Sequence, residues 1–300
     1  MNLDFLIPEI VGNWTRQHPP TLDAILSDTD LTRKCPLDNG RHAVNPVQDL
    51  GRLSALPLEV LTDILLYLDI ISLTTFRQVN NCGMLVVDSI PQYKTIYKYC
   101  PHVLRGVISI GATHFDLRTL YQSLYDFRCG TCGNFGGYLY LITCSRVCYT
   151  CFTRNNLFLP MTEKCASMST SLPRNELKKL PHIKSIPDQD GLWCQHRLTL
   201  WDRGAVMAVS KTTSVCEEID NHFYDMRRFV AVVSVPYFEP PSTVARWGFY
   251  CFGCSESHEN SGKQYTKQDF LDHIVRYGPV VTEEAEDGPR HSPWGQALVA

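Results

Sequence analysis

Apolar positions between residues 53 and 125 recur with a helical period. In LSALPLEVLTDILLYLDIISLTTFRQVN, Leu61, Ile64, Leu65 and Leu68 fall on one helical face behind Pro57, a residue suited to a first helical turn. Ser72 stands where it can cap a second helix carrying Leu73, Phe76 and Val79, and MLVVDSI after Cys82-Gly83 predicts a third. Two more helices are expected beyond Ser89 and Pro91. The last of them shows Leu117, Leu120, Tyr121 and Leu124 at i, i+3, i+4 and i+7 behind Thr113. Tyr93, Tyr97, Tyr99, Tyr121 and Tyr125 in this block suit a packed core.

After residue 128 the pattern changes. GGYLYLIT predicts a hairpin and RFVAVVSVPYF a buried strand rich in β-branched and aromatic residues, while YTKQDFLDHIVRY predicts a helix capped by Thr266 with Asp269 three residues on. SLPRNELKKLPHIKSIPDQDG, broken by three prolines, predicts a connector on a surface. Residues 1–50 carry Pro8, Pro19, Pro20, Pro36 and Pro46 without sustained periodicity and predict a loosely ordered leader. Residues 278–300 are acidic and then broken by Gly and Pro, which predicts a flexible tail. No fixed-period repeat argues for a solenoid or propeller.

The order of residues in the helical block says more than their period. Leu56-Pro57, Glu59-Val60, the Ile64-Leu65…Leu68 helix, Leu73 and the closing Phe76-Arg77-Gln78-Val79-Asn80 closely resemble the F-box, over about residues 53–96. The resemblance implies a three-helix module that docks the Skp-type adaptor of a cullin ubiquitin ligase through Leu56, Pro57, Leu58, Val60, Leu61, Ile64, Leu65, Leu68, Leu73 and Phe76. The chain departs from the pattern at Asn81-Cys82-Gly83, where many F-boxes continue with basic or aromatic residues, and this predicts a weakened third helix. Periodicity alone would favour a helical subdomain whose apolar residues face its own core, and the order of residues tips the reading toward the F-box.

CGTCGNFGGYLYLITCSRVCYTC holds five cysteines. Cys129-x2-Cys132 and Cys148-x2-Cys151 are fifteen residues apart, a spacing that lets two tight turns present four thiolates to one structural Zn²⁺. Gly130 and Gly133 would let backbone amides face the sulfurs. Cys144 is the alternative to Cys148, but only Cys148 keeps the two-residue gap. Buried structural thiols are the plainer reading, and the two paired knuckles argue against it. Four protein ligands leave no open position for water, so such an ion stabilises and does not react.

A second cluster, Cys251-x2-Cys254-x18-His273, offers three ligands. Where similar fungal F-box proteins carry a further Cys or His four residues after this histidine, the chain has Tyr277. A fourth ligand could come from His258, Cys194, His196 or water, and a metal-free site is the rival reading. Water would make the geometry catalytic, but neither the zinc deaminase signature nor His-Glu-x-x-His occurs.

Composition narrows the function. At 300 residues and 44% apolar content the chain can bury a core without staples. Asp4 and Glu9 stand where a signal peptide would want basic residues, and the apolar runs are too short to span a bilayer, which predicts a cytoplasmic or nuclear protein. Its thirteen cysteines are then not expected to form a disulfide framework. Net charge is −3 and only Arg146 is charged between Cys129 and Cys151, which disfavours nucleic acid as a partner. No phosphate loop, nucleophile elbow or kinase signature is present, so no enzyme is expected. The expected fold is α+β: leader 1–50, F-box 51–98, connecting helices 99–127, a zinc-knuckle domain 128–277 that contacts an unknown protein target, and tail 278–300. Together with the resemblance this reads as a substrate-recruiting ligase subunit. The alternative is a zinc-dependent nucleic-acid or protein-binding module without a ligase role.

Overall fold

The computed structural model describes residues 14–16, 26, 31–33, 35, 37, 46, 48–187, 196–210, 226–239, 244–254, 262–281 and 289–292. Most of the predicted leader, Cys194, His258 and much of the tail lie outside the described residues. A two-residue strand, β1 (Thr15–Arg16), comes first, and the helical block opens with α1 (Leu58–Leu66). α2 (Ile70–Arg77) is capped by Asp69, whose Oδ1 accepts from the amides of Ile71 and Ser72. Ser72, the expected cap, instead donates its hydroxyl to Asp69 Oδ2 at 2.6 Å. A carboxylate one turn earlier is the better partner for the positive end of the helix.

α3 (Asn81–Ser89) starts where a weakness was expected and is well made. Asn80 Oδ1 accepts from Gly83 N at 2.8 Å. A β-carbon on Gly83 would stand 2.9 Å from the carbonyl oxygen of Phe76, so the glycine is what lets α3 cross α2 in contact. Arg77 then joins the two helices through a bidentate pair with Asp88, Nε to Oδ1 at 2.7 Å and Nη2 to Oδ2 at 2.8 Å. α4 (Pro91–Tyr99) and α5 (Pro101–Ile110) each begin on proline, which loses no hydrogen bond there. α6 (Leu117–Tyr125) is capped by Asp116, and it buries Leu117, Leu120 and Leu124.

The predicted hairpin forms from β2 (Tyr138–Tyr140) and β3 (Ser145–Val147), with Tyr138 opposite Val147. α7 (Tyr149–Arg154), β4 (Met161–Thr162) and α8 (Glu163–Thr170) follow. The proline-broken stretch expected as a surface connector contributes α9 (Arg174–Leu177) and β5 (His182–Lys184). Its Leu177 and Ile183 are fully buried, because β5 pairs with β6 (Thr199–Trp201) in a sheet ordered β4-β6-β5. α10 (Arg203–Val209) precedes β7 (Val232–Ser234), which pairs with β2 to complete a sheet ordered β3-β2-β7. The apolar run predicted as one strand is thus two. Pro236, which has no N–H for a ladder, separates β7 from β8 (Tyr237–Phe238), and β8 pairs with β9 (Ala245–Arg246). Last come β10 (Phe249–Cys251), β11 (Gln264–Tyr265), α11 (Lys267–Tyr277), β12 (Val280–Val281) and β13 (Arg290–His291). β1 pairs with β10, and β12 with β13.

The fold class is α+β. One hydrophobic core runs from Leu61 and Leu65 of α1 through Val103, Leu104 and Val107 of α5 to Leu139, Leu141, Val232 and Val233 around the hairpin sheet. The joint is close at Gly106, where a β-carbon would lie 3.2 Å from Val233 Cγ1 and 3.3 Å from Leu141 Cδ1. Beside it His102 Nε2 donates to the carbonyl of Ser234 at 2.8 Å. Cys165 of α8 is disulfide-bonded. Among the described residues no helix is long and apolar enough to cross a membrane.

The crossing of α2 and α3 gives a signed prediction. On helix propensity alone Gly83→Ala would stabilise by about 1 kcal/mol, whereas the contact with Phe76 is expected to cost about 1–3 kcal/mol. Chemical denaturation reads the sign, and a net gain would mean that the two helices are not in contact there.

Candidate metal centres and docking face

The β2–β3 hairpin brings the first two Cys-x2-Cys turns together. Cys129 N donates to Asn134 O at 2.7 Å and Gly130 N to Arg146 O at 3.0 Å, which fixes the first turn against the strand that leads into the second. The sulfurs of Cys129, Cys132, Cys148 and Cys151 lie within 4.8 Å of one another, with Cys132 to Cys148 at 3.6 Å. Cys148 also caps α7, its sulfur accepting from Cys151 N at 3.4 Å, so the two-residue gap turns both thiols to the same side. Cys144 is outside the group. It sits at the hairpin turn with its sulfur 3.7 Å from Ser123 Oγ.

Bond lengths of about 2.3 Å to sulfur and 2.05 Å to nitrogen give a tetrahedral zinc site edges of about 3.8 Å between two sulfurs, 3.6 Å between sulfur and nitrogen, and 3.4 Å between two nitrogens. The 3.6 Å edge at Cys132–Cys148 fits this. The hydrogen bond with Cys148 holds the Cys129 thiol down to about 4, against the effect of burial and with the amides of Cys132 and Thr131 assisting. The same hydrogen bond pushes Cys148 up. The assisting amides are those of Thr131 and Cys132, in the turn that Gly130 and Gly133 flank. Four clustered sulfurs, two of which share a proton in this way, are a set that a soft cation satisfies.

The second cluster has the three expected groups and one that was not expected. Cys251 ends β10 and Cys254 closes the turn after it, while His273 projects from the buried face of α11. α11 starts as predicted, with Thr266 Oγ1 accepting from Asp269 N at 3.1 Å and donating to Asp269 Oδ2 at 2.8 Å. The fourth group is His291 of β13: its Nε2 is 3.3 Å from Cys251 Sγ, 3.4 Å from Cys254 Sγ and 3.1 Å from His273 Nε2. Cys254 Sγ is 3.5 Å from His273 Nε2. His196, one sequence candidate, is exposed at the approach to β6 and is not part of the group. Tyr277 does not take the ligand place either; its ring packs 4.8 Å from that of His273. The single cue to His291 was Val280-Val281, a strand-forming pair inside what reads as a fraying tail.

The two clusters pack on each other. Tyr138 and Tyr250 share a hydrogen bond between their hydroxyls, and Arg128, next to Cys129, reaches Asp269 of α11 at 3.4 Å. Between them lies a cavity of about 220 Å³ whose walls include Arg128, Phe135, Lys263, Asp272, Arg276 and Tyr277. That is below the ~300 Å³ at which drug-sized ligands are usually held, and it suits a side chain or two.

On α1 the residues expected to meet a partner divide. Leu61 and Leu65 face inward and are buried, as is Leu73 of α2, so these three belong to the chain's own core and not to a surface. They sit one helical step from the outward stripe, and the block's own packing takes them up. Leu68 and Phe76 are half-buried, while Leu56, Pro57, Leu58, Val60 and Ile64 are exposed. Val60, Ile64 and Tyr67 follow i, i+4, i+7 spacing and form an outward apolar stripe, with side chains 44%, 47% and 62% exposed. Tyr67 was not anticipated. Its hydroxyl accepts from Arg118 Nη1 at 2.7 Å, which holds the ring in place.

The F-box domain profile matches residues 53–82, from the approach to α1 to the start of α3. No curated protein and no solved structure matches the chain.

The hairpin geometry separates the two candidate thiols. Cys148→Ala is expected to lose one equivalent of bound metal relative to wild type, and Cys144→Ala none, as measured by elemental analysis of the purified protein. Loss in Cys144→Ala with retention in Cys148→Ala would place the ligand at the wrong cysteine.

Proposed function

We propose that this chain is the substrate-recruiting F-box subunit of a cullin-type ubiquitin ligase. The observation that carries the reading is α1, a helix apolar on two faces inside the residues matched by the F-box profile. Its inner stripe is covered by the chain itself. Its outer stripe of Val60, Ile64 and Tyr67, with Leu58 at the helix start, stays open in the way a helix seated in another protein's groove would need. The Skp-type adaptor is the partner that the F-box match supports.

The chain itself then breaks and makes no bonds. It holds a target near a charged conjugating enzyme, and the gain is one of effective concentration and orientation. A structural Zn²⁺ at Cys129, Cys132, Cys148 and Cys151 would keep the hairpin half in shape for that task. The cavity between the two clusters offers cations, a carboxylate and aromatic rings at side-chain scale, which supports a peptide segment of the target as its occupant. Nucleic acid finds no comparable support: Arg146, the one charge between Cys129 and Cys151, is buried and donates to Pro236 O at 2.9 Å.

Co-expression with a Skp-type adaptor tests the reading. Val60→Asp/Ile64→Asp alters only exposed positions, so adaptor recovery is expected to fall by about tenfold or more, corresponding to about 1.4 kcal/mol, with an unchanged thermal midpoint. Leu56→Ala/Pro57→Ala is expected to weaken recovery in the same direction. Equal recovery from wild type and both variants would rule out α1 as the docking helix.

A further inference from the structure

We propose that Cys251, Cys254, His273 and His291 hold a second zinc ion, in a closed site that clasps distant pieces of the chain together. The four donor atoms lie within 4.8 Å of one another, and the set is two thiols and two imidazoles with no oxygen ligand. That composition selects a zinc-like ion over calcium or magnesium. The sulfur–nitrogen separations of 3.3, 3.4 and 3.5 Å and the nitrogen–nitrogen separation of 3.1 Å fall at or a few tenths of an ångström inside tetrahedral edges.

The donors are also aimed. His291 Nδ1 donates to the carbonyl of Gly278 at 2.9 Å, which leaves the lone pair of Nε2 facing the two sulfurs and His273. Room for this ring comes from the residue between the two cysteines. A β-carbon on Gly253 would stand 3.0 Å from His291 Cδ2 and Nε2 and 3.2 Å from its backbone nitrogen. A glycine at that point of the knuckle lets the histidine come in.

Among the described residues, the segment around the site has only a small core and short strands of its own. The local core consists of Cys251, Cys254, Tyr265, Phe270, Ile274 and Val280, and two of these six are the thiol ligands. The strands are equally slight: β1 pairs with β10 over two residues, Thr15 opposite Cys251, and β12 pairs with β13 over two, Val280 opposite His291. Ladders and cores of this size do not sustain themselves in water. An ion bound by the knuckle, α11 and β13 joins three segments directly, and through β10 it fixes β1 as well. With four protein ligands no position is left for water, so the ion is structural and the water-completed, catalytic geometry loses its open position.

Zinc analysis of the full-length protein is expected to find two ions per chain, and one in His291→Ala. Cys132→Ser is expected to retain one as well, from this site. No ion left in Cys132→Ser, or a zinc content that His291→Ala does not lower, overturns the site. Limited proteolysis reads the clasp: cleavage at Arg16 is expected to become about tenfold faster in His291→Ala, in step with local opening, and an unchanged rate overturns the clasp. Should His291→Ala fail to fold, Gly253→Ala keeps all four ligands and decides the matter. It is expected to give up one zinc to a chelator about tenfold sooner than wild type, and equal rates overturn the proposal.

Discussion

The close seating of α5 on the strands β2 and β7 is the constraint on which the rest of the structure depends. At Gly106 the helix backbone comes within reach of Leu141 and Val233, and this contact makes the helical block and the hairpin sheet share one core. The face of α1 and the four-cysteine turn are therefore held through continuous packing and not by a linker. Packed interiors are close to crystal density and transmit displacement poorly tolerated by their neighbours. A side chain larger than glycine at 106 would push the helix from the sheet and alter the relation between the face of α1 and the first metal cluster.

The two halves of the chain reach stability by different means. The helical block and hairpin bury a long list of apolar residues, from Leu61 to Phe238, and capped helices with a bidentate Arg77–Asp88 pair complete them. The C-terminal segment has strands of two or three residues and a core of six. Hydrophobic burial scales with the area removed from water, so the first half has ample driving force and the second has little. The clustering of thiols and imidazoles in the second half fits that difference.

What could be read in the sequence was local. The period of Leu61 and Leu65, the Cys-x2-Cys gaps and the Thr266–Asp269 helix start each depend on residues a few positions apart, and each is found. Errors arose where two candidates compete within one turn. Asp69 displaced Ser72 as a cap. Which side of α1 is covered was not legible, because Leu61 and Ile64 are both apolar and only the neighbouring helices decide between them. His291 was hidden for a related reason: its partners are eighteen and more residues away, and no spacing rule joins a histidine on a late strand to a knuckle before a helix. Gly83 reads as a defect in a helix until the carbonyl of Phe76 is seen against it.

The outward stripe of α1 has a further consequence for the chain on its own. Val60, Ile64 and Tyr67 face water for as long as nothing covers them. An apolar strip of this kind favours self-association, and a cell making the chain in excess of its partner would meet an aggregation-prone species. Solubility of the chain by itself would then depend on whether this strip is covered.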